Sequence, residues 1–211
     1  MRALVLLLAL TSAAHAGNNE LTLGTHSRSL HAPSANAVSE DEMVGGALGI
    51  ARRLPLVVFP RLDIWATGAM TWGGLEGTLF QTMLTDVGMF GLSAGGRARY
   101  ELHPHVHVGG RLDLGTSRTS LRLEHAGHVV KDAAWGATAT TALTIDLLAV
   151  ARRQFSFGLR FELGYVAATA PSLSPREDDD ETKITLDEMQ ASIGGLDLGG
   201  RFFSFALLSQ F

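Results

Sequence analysis

Apolar and polar residues alternate with a period of two along most of the chain. In residues 156–164, which spell SFGLRFELG, every second residue is large and apolar, and those between are polar or glycine. A β-strand points successive side chains to opposite faces, whereas a helix repeats every 3.6 residues. The alternation recurs in seven more segments, clearly in the first four and more weakly in the last three: 61–72, 90–101, 105–115, 140–149, 20–30, 43–54 and 196–211. The pattern therefore predicts eight β-strands.

The connections between these predicted strands are of two kinds, which alternate along the chain. Three connections are tight and either polar or proline-containing: 52–55, 102–104 and 152–154. Four connections are longer and polar: 31–42, 76–86, 126–132 and 170–190. An even number of strands joined in this way has both chain ends on the short-turn side. We therefore predict an all-β fold, an eight-stranded antiparallel up-and-down barrel with short turns at one end and longer loops at the other.

The N-terminal residues 1–16 have a different pattern. They spell MRALVLLLALTSAAHA, with one basic residue, an apolar core and an A-x-A ending. This is the layout of a secretory signal peptide with its cleavage site before Gly17. We expect residues 1–16 to be removed and residues 17–211 to form the barrel.

The composition narrows the class of protein. The 211 residues include no cysteine, which excludes a disulfide scaffold and a thiolate zinc site. Acidic residues outnumber basic ones by 21 to 17, whereas nucleic-acid binders usually carry a basic excess. Past the N-terminus no apolar run approaches the roughly 18 residues that a membrane-spanning helix needs. The sequence therefore favours neither a nucleic-acid partner nor a helical membrane protein, and no motif in it predicts a cofactor or a metal site.

Aromatic residues cluster near the ends of the predicted strands. Phe90 and Tyr100 are ten residues apart on one parity, and so are Phe155 and Tyr165. A tilted transmembrane strand crosses in about 9–11 residues. We predict two aromatic girdles, formed by Phe59, Trp72, Phe90, Tyr100, Trp135, Phe155, Phe157, Tyr165 and Phe211. The alternative is a soluble β-sandwich, which would place aromatic residues in mid-strand as often as at strand ends.

The last thirteen residues, GGRFFSFALLSQF, carry a resemblance to a known family. Phe203, Phe205 and Leu207 alternate with smaller or polar residues, and Phe211 follows on the same parity. This resembles the C-terminal recognition signal of bacterial outer-membrane barrels. Together with the signal peptide and eight strands, it makes the chain similar to the small barrels of the OmpA transmembrane-domain and OmpX type.

The resemblance implies a location and a set of partners. The location is the outer membrane of a Gram-negative bacterium, with the short turns periplasmic and the long loops extracellular. The implied partners are outer-membrane lipid, lipopolysaccharide, the barrel-assembly machinery acting on the C-terminal strand, and an unknown extracellular ligand. One feature departs from the pattern, because Asp197 and Arg201 share the parity of the phenylalanines. We expect a β-bulge at Gly199–Gly200 that turns both charges inward.

The inward parity of the predicted strands carries six basic and six acidic residues. Eight strands enclose a space just wide enough for side chains, so these charges are expected to pair across it. The predicted network consists of Arg28, Asp63, Arg97, Arg99, Glu101, Arg111, Asp113, Asp146, Arg160, Glu162, Asp197 and Arg201, with His26, His105 and His107 beside it. A static plug of ion pairs is the main interpretation. A gated pore and a proton-sensing role for the histidines are the alternatives.

The sequence favours a structural or surface-adhesion role over catalysis. The residues that could form a lipid-modifying centre are Ser117 or Ser120 with His125 or His128 and Glu124, in which His125 would be the base and Ser120 the nucleophile. They match no motif of an outer-membrane hydrolase or acyltransferase. The acidic run at 177–181 lacks the spacing of a calcium loop, and such runs are usually solvated. We expect a non-enzyme, with a narrow or gated pore as second interpretation and an enzyme as third.

Overall fold

The chain forms a closed ring of eight antiparallel strands. The computed structural model describes residues 18–30, 42–56, 59–79, 83–125, 128–152, 155–169, 173, 176–177 and 198–211. The strands in these ranges are Asn19–Leu30 (β1), Glu42–Arg53 (β2), Leu62–Leu79 (β3), Met83–His103 (β4), Val106–His125 (β5), His128–Ala151 (β6), Ser156–Ala168 (β7), Arg176–Glu177 (β8) and Gly200–Gln210 (β9).

Each barrel strand pairs with its neighbour in the chain, and β9 closes the ring by pairing with both β7 and β1. The two-residue β8 is not one of the eight barrel strands; it pairs with Val130 and Lys131 of β6, beyond the end of β7. The predicted fold class, an eight-stranded antiparallel up-and-down barrel, is confirmed. Within the described ranges, no helix has the length and apolarity that a membrane crossing requires.

The two ends of the barrel differ. At the short-turn end, β2 connects to β3, β4 to β5 and β6 to β7, and residues 18 and 211 lie there as well. The opposite end is the long-loop end. The first short turn is longer than predicted, because β2 ends at Arg53 and β3 begins at Leu62. Arg61, just before β3, has a φ of 67°, a left-handed backbone conformation that is uncommon outside glycine.

Four strands extend well past the predicted segments. Strands β3 to β6 contain 18, 21, 20 and 24 residues, whereas β1, β2, β7 and β9 contain 11 to 13. The predicted long loops at 76–86 and 126–132 are therefore wrong. Pairing continues to Leu79 and Met83 in one hairpin and to His125 and His128 in the other. The polar residues in these segments predict connections, whereas the alternation of inward and outward side chains continues into both hairpins.

A row of aligned residues crosses these four strands, formed by Trp72, Phe90, Arg118 and Trp135. Beyond this row each strand continues for seven residues toward the long-loop end: 73–79, 83–89, 119–125 and 128–134. We call these four segments the projection. At about 3.3 Å per residue, it extends for about 23 Å along the strands.

The last strand is regular. Its pairing with β1 and with β7 runs without interruption from Gly200 to Gln210, so the β-bulge expected at Gly199–Gly200 is not present in β9. Arg201 consequently shares the outward parity of Phe203 and is exposed. The prediction that Arg201 points inward is wrong. Asp197 lies outside the described residues, as do the predicted signal peptide at residues 1–16 and most of the acidic run.

Candidate functional site

Glu20, on β1, is the centre of an ion network inside the barrel. The guanidinium of Arg97 donates to both of its carboxylate oxygens at 2.6 and 2.7 Å. Arg160 donates to the same two oxygens at 2.6 and 3.2 Å, and Gln210 adds a third donor at 3.0 Å. Glu20 is only 3% exposed, so two arginines and one carboxylate meet almost without water. Glu20 was not among the predicted network residues, although Glu20 shares the inward parity of His26 and Arg28.

The network continues through Asp146. Arg160 binds this carboxylate through Nε at 2.6 Å and Nη2 at 2.8 Å, a bidentate pair. Arg99 lies 3.8 Å from Glu20, 4.0 Å from Asp146 and 3.4 Å from Asp63. We call Glu20, Arg97, Arg99, Asp146 and Arg160 the ion network.

A second group of charges lies beside it. Arg111 reaches Asp113 at 3.0 Å and Glu162 at 3.3 Å, and Thr67 donates a hydrogen bond of 2.6 Å to Asp113. Charges removed from water are tolerated only when paired in this way. Both groups therefore hold the walls of the barrel together across its interior.

Trp65 fills the space next to the ion network. Its side chain points inward from β3 and is fully buried. The guanidinium carbons of Arg97 and Arg99 lie 5.3 and 4.5 Å from the centre of its ring, which is the distance range of cation–π contacts. Trp65 was not among the residues predicted to line the interior. Its inward parity, two residues from Asp63, was the available signal.

The structure describes eleven of the twelve predicted network residues and places them in three environments. Nine are buried or half-buried inside the barrel: Arg28, Asp63, Arg97, Arg99, Arg111, Asp113, Asp146, Arg160 and Glu162. Glu101 is exposed at the short-turn end, Arg201 points outward, and Asp197 is outside the described residues. Arg28 pairs with no carboxylate among the described residues; it donates to the carbonyl of Leu198 at 3.1 Å and contacts Met89.

Apolar side chains fill the barrel at the long-loop end. They come from five barrel strands and from the residue that precedes Gly199: Leu30, Met43, Leu75, Val87, Met89, Leu121, Leu123 and Leu198. We call this cluster the apolar plug. All eight are buried, and Val130 and Leu173 pack against them. The plug is also the core of the projection.

A small cavity with both polar and apolar walls separates the ion network from the apolar plug. Its volume is about 80 Å³, and His26, Thr71, Ser117 and Glu162 are among the residues that line it. Passing from the short-turn end to the long-loop end, the interior thus holds ion pairs, a small cavity and then a layer of apolar side chains. The eight residues of the apolar plug are uncharged, and the buried side chain of Arg28 contacts two of them, Met89 and Leu198.

The exterior of the barrel is an apolar band. The most exposed leucines lie at its middle: Leu112 at 62%, Leu114 at 67%, Leu143 at 69% and Leu163 at 63%. Eight of the nine predicted girdle residues are exposed, namely Phe59, Trp72, Phe90, Tyr100, Trp135, Phe155, Phe157 and Tyr165, and Phe211 is half-buried.

These aromatic residues border the band at both ends. Trp72, Phe90 and Trp135 lie in the row below the projection, whereas Phe59 and Phe155 lie at the short-turn end. A closed barrel satisfies its backbone hydrogen bonds internally, and an apolar exterior between aromatic girdles around a polar interior suits it to outer-membrane lipid. The chain has the architecture of an outer-membrane-type β-barrel.

Comparisons with known proteins give structural similarity only. No family model and no curated protein matches the chain. Among solved structures, the attachment invasion locus protein Ail of Yersinia pestis is 9% identical, with 93% of this chain and 98% of that one covered, at a TM-score of 0.48. The translocator domain of the autotransporter NalP from Neisseria meningitidis is 10% identical, with 100% and 94% covered, at a TM-score of 0.41. The barrel fold is therefore assigned from the strand pairing of this chain.

The residues considered for catalysis are divided between the two faces of β5. Ser117 is buried and points inward, whereas Ser120 is exposed and donates a hydrogen bond of 3.3 Å to the carbonyl of Gly88. Glu124 shares the outer face with Ser120 and pairs with Arg122 at 3.2 Å. The two serines therefore cannot belong to the same centre. The backbones of His125 and His128 pair with each other, and their side chains are outside the description.

Proposed function

We propose that the protein is a closed barrel that works at the cell surface as an adhesion module. The observation that carries this proposal is the projection, which continues the barrel wall past the aromatic girdle around the apolar plug. Its strands stay hydrogen-bonded almost to their connecting turns. Such a surface loses little conformational freedom on binding, which favours recognition of a partner.

The outer face of the projection is polar and carries both signs of charge. Glu76, Asp86, Arg122 and Lys131 occupy aligned outward positions on β3 to β6, so acidic residues lie on one side and basic residues on the other. This pattern suits an aqueous surface above the membrane. It offers a partner a fixed arrangement of charges rather than a flexible loop.

Two outward arginines support contact with phosphorylated lipid. Arg118 is exposed between Phe90 and Trp135, and Arg201 is aligned with Tyr165. Both stand at the level of the long-loop girdle, where lipid phosphates of the outer leaflet lie. Lipopolysaccharide is the phosphorylated lipid expected there. On the same barrel, the outward Phe203 and Phe205 of β9 form the surface that the barrel-assembly machinery would recognise.

Attachment of whole bacteria tests the adhesion proposal. Gram-negative cells that display the protein should adhere to cultured epithelial cells, to glass or to one another several-fold better than cells with empty vector. Replacing Asp86, Arg122 and Lys131 together with alanine should remove most of that gain, because the charged face of the projection is then lost.

The matched control replaces three basic residues at the opposite end, Arg52, Arg61 and Arg152, with alanine. Attachment should not change, because these residues lie on the periplasmic side. Equal attachment of empty-vector cells to all three targets, or full attachment by the projection variant, would rule out this role.

A further inference from the structure

The short-turn end of the barrel contains a recess that the proposed surface role does not use. It has a volume of about 560 Å³ and lies between the three short turns and the end of β9. With the short turns periplasmic, the recess faces the periplasm. Arg99 of the ion network lies at its floor and contributes to its lining.

The charges around the recess favour an anion. Four guanidinium groups line it, from Arg53, Arg61, Arg99 and Arg152, against two carboxylates, from Asp63 and Glu101. Asp63 is already engaged, since it pairs with Arg53 and lies 3.4 Å from Arg99. Arg61 and Arg152 are exposed at the rim, and among the described residues neither forms an ion pair.

Two buried side chains at the floor each have a nitrogen atom without a hydrogen-bond partner among the described residues. Arg99 and His107 are each 7% exposed and both line the recess. Within the described part of the chain, Arg99 Nη1 and His107 Nδ1 form no hydrogen bond. Arg99 Nη1 reaches the carboxylates of Glu20 and Asp146 only at 3.8 and 4.0 Å. Because a buried polar group without a partner is costly, a ligand that supplies an acceptor would be stabilised here.

Most of the remaining lining residues are apolar. Leu56, Phe59, Pro60 and Leu62 line one side, and Leu148 and Phe155 line the other. Leu56 and Phe59 are 54% and 66% exposed. The recess therefore combines cationic donors at its floor and rim with apolar surface beside them.

We propose that the recess binds a small anionic amphiphile from the periplasmic side. Its carboxylate or phosphate group would accept hydrogen bonds from Arg99 and His107, and its apolar part would lie against Leu56, Phe59 and Leu62. Arg61 and Arg152 would neutralise the anion at the rim. These contacts are separate from the ion pairs of the ion network and from the surface of the projection.

Titration by nuclear magnetic resonance tests the site. The protein, refolded in phospholipid nanodiscs, is titrated with hexanoate, hexyl phosphate or hexan-1-ol while the backbone amides of Arg99 and His107 are followed. We expect saturable shifts with at least one of the two anions and none with the alcohol. The tighter-binding anion identifies the headgroup. Equal shifts with hexan-1-ol, or no saturable shift with either anion, would overturn the proposal.

Arginine variants provide the second test. Replacing Arg61 and Arg152 together with glutamine should weaken binding of the anion about tenfold or more, the loss expected when charged hydrogen-bond partners are removed. Arg52→Gln is the control. Arg52 is next to Arg53 in the chain, but its side chain points outward and does not line the recess. Wild-type affinity in the double variant would contradict the proposed role of the rim. Since all three side chains are exposed, folding should be retained, which the gel mobility of unheated samples verifies.

Discussion

Glu20→Gln is expected to lower the free energy of unfolding by about 3–5 kcal/mol, the cost of breaking a buried ion pair by removing one partner. The carboxylate of Glu20 receives two hydrogen bonds from each of Arg97 and Arg160. Glutamine has nearly the same shape but no charge, and it offers one acceptor atom in place of two. Asp146 would then be left as the main counter-charge for Arg160 inside the barrel.

Urea titration in lipid vesicles measures this effect. The matched control is Glu124→Gln, which removes a carboxylate from an exposed pair with Arg122. Exposed pairs contribute about 0–1 kcal/mol, so the control should unfold close to wild type. If Glu20→Gln also stays within about 1 kcal/mol of wild type, the ion network does not hold the barrel together.

Leu143→Arg is expected to make folding into a bilayer less favourable by about 2–4 kcal/mol, the cost of arginine near the midplane on the lipid face of a barrel. Leu143 is 69% exposed and is aligned with Leu163, which is 63% exposed. Both therefore lie in the middle of the apolar band. A guanidinium there has no water and no described carboxylate beside it.

Ala133→Arg is the control on the same strand and the same outward parity. Ala133 belongs to the projection, beyond Trp135, so its side chain faces water. Folding into vesicles should be unchanged by this substitution. If Leu143→Arg and Ala133→Arg behaved alike, the apolar band would not be the surface in contact with lipid.

The strands were predictable because a period of two is a local property of the sequence. The partners of Glu20 were not, since Arg97 and Arg160 lie 77 and 140 residues away in the chain. Only the register of the closed barrel brings them together. For the same reason, Glu20 was not among the twelve predicted residues although it is the centre of the ion network, and the contacts of Trp65 with Arg97 and Arg99 were not predicted.

Two predictions were wrong for different reasons. The bulge near Gly200 was expected because it would turn Arg201 away from lipid. Arginine at the edge of the apolar band costs only about 0–1 kcal/mol, so β9 can remain regular. The polar residues in 76–86 and 126–132 predict connections, whereas the alternation continues through the projection, where Leu75 and Leu121 are buried in the apolar plug.

The interior of the barrel is closed, and the proposed role places the action of the protein at its surface. The most direct test is the current through single wild-type molecules in a planar lipid bilayer. Because the ion network and the apolar plug fill the interior at two levels, we predict no steady unitary conductance at either polarity. Steady unitary steps from correctly folded wild-type protein would contradict the account and favour the gated pore.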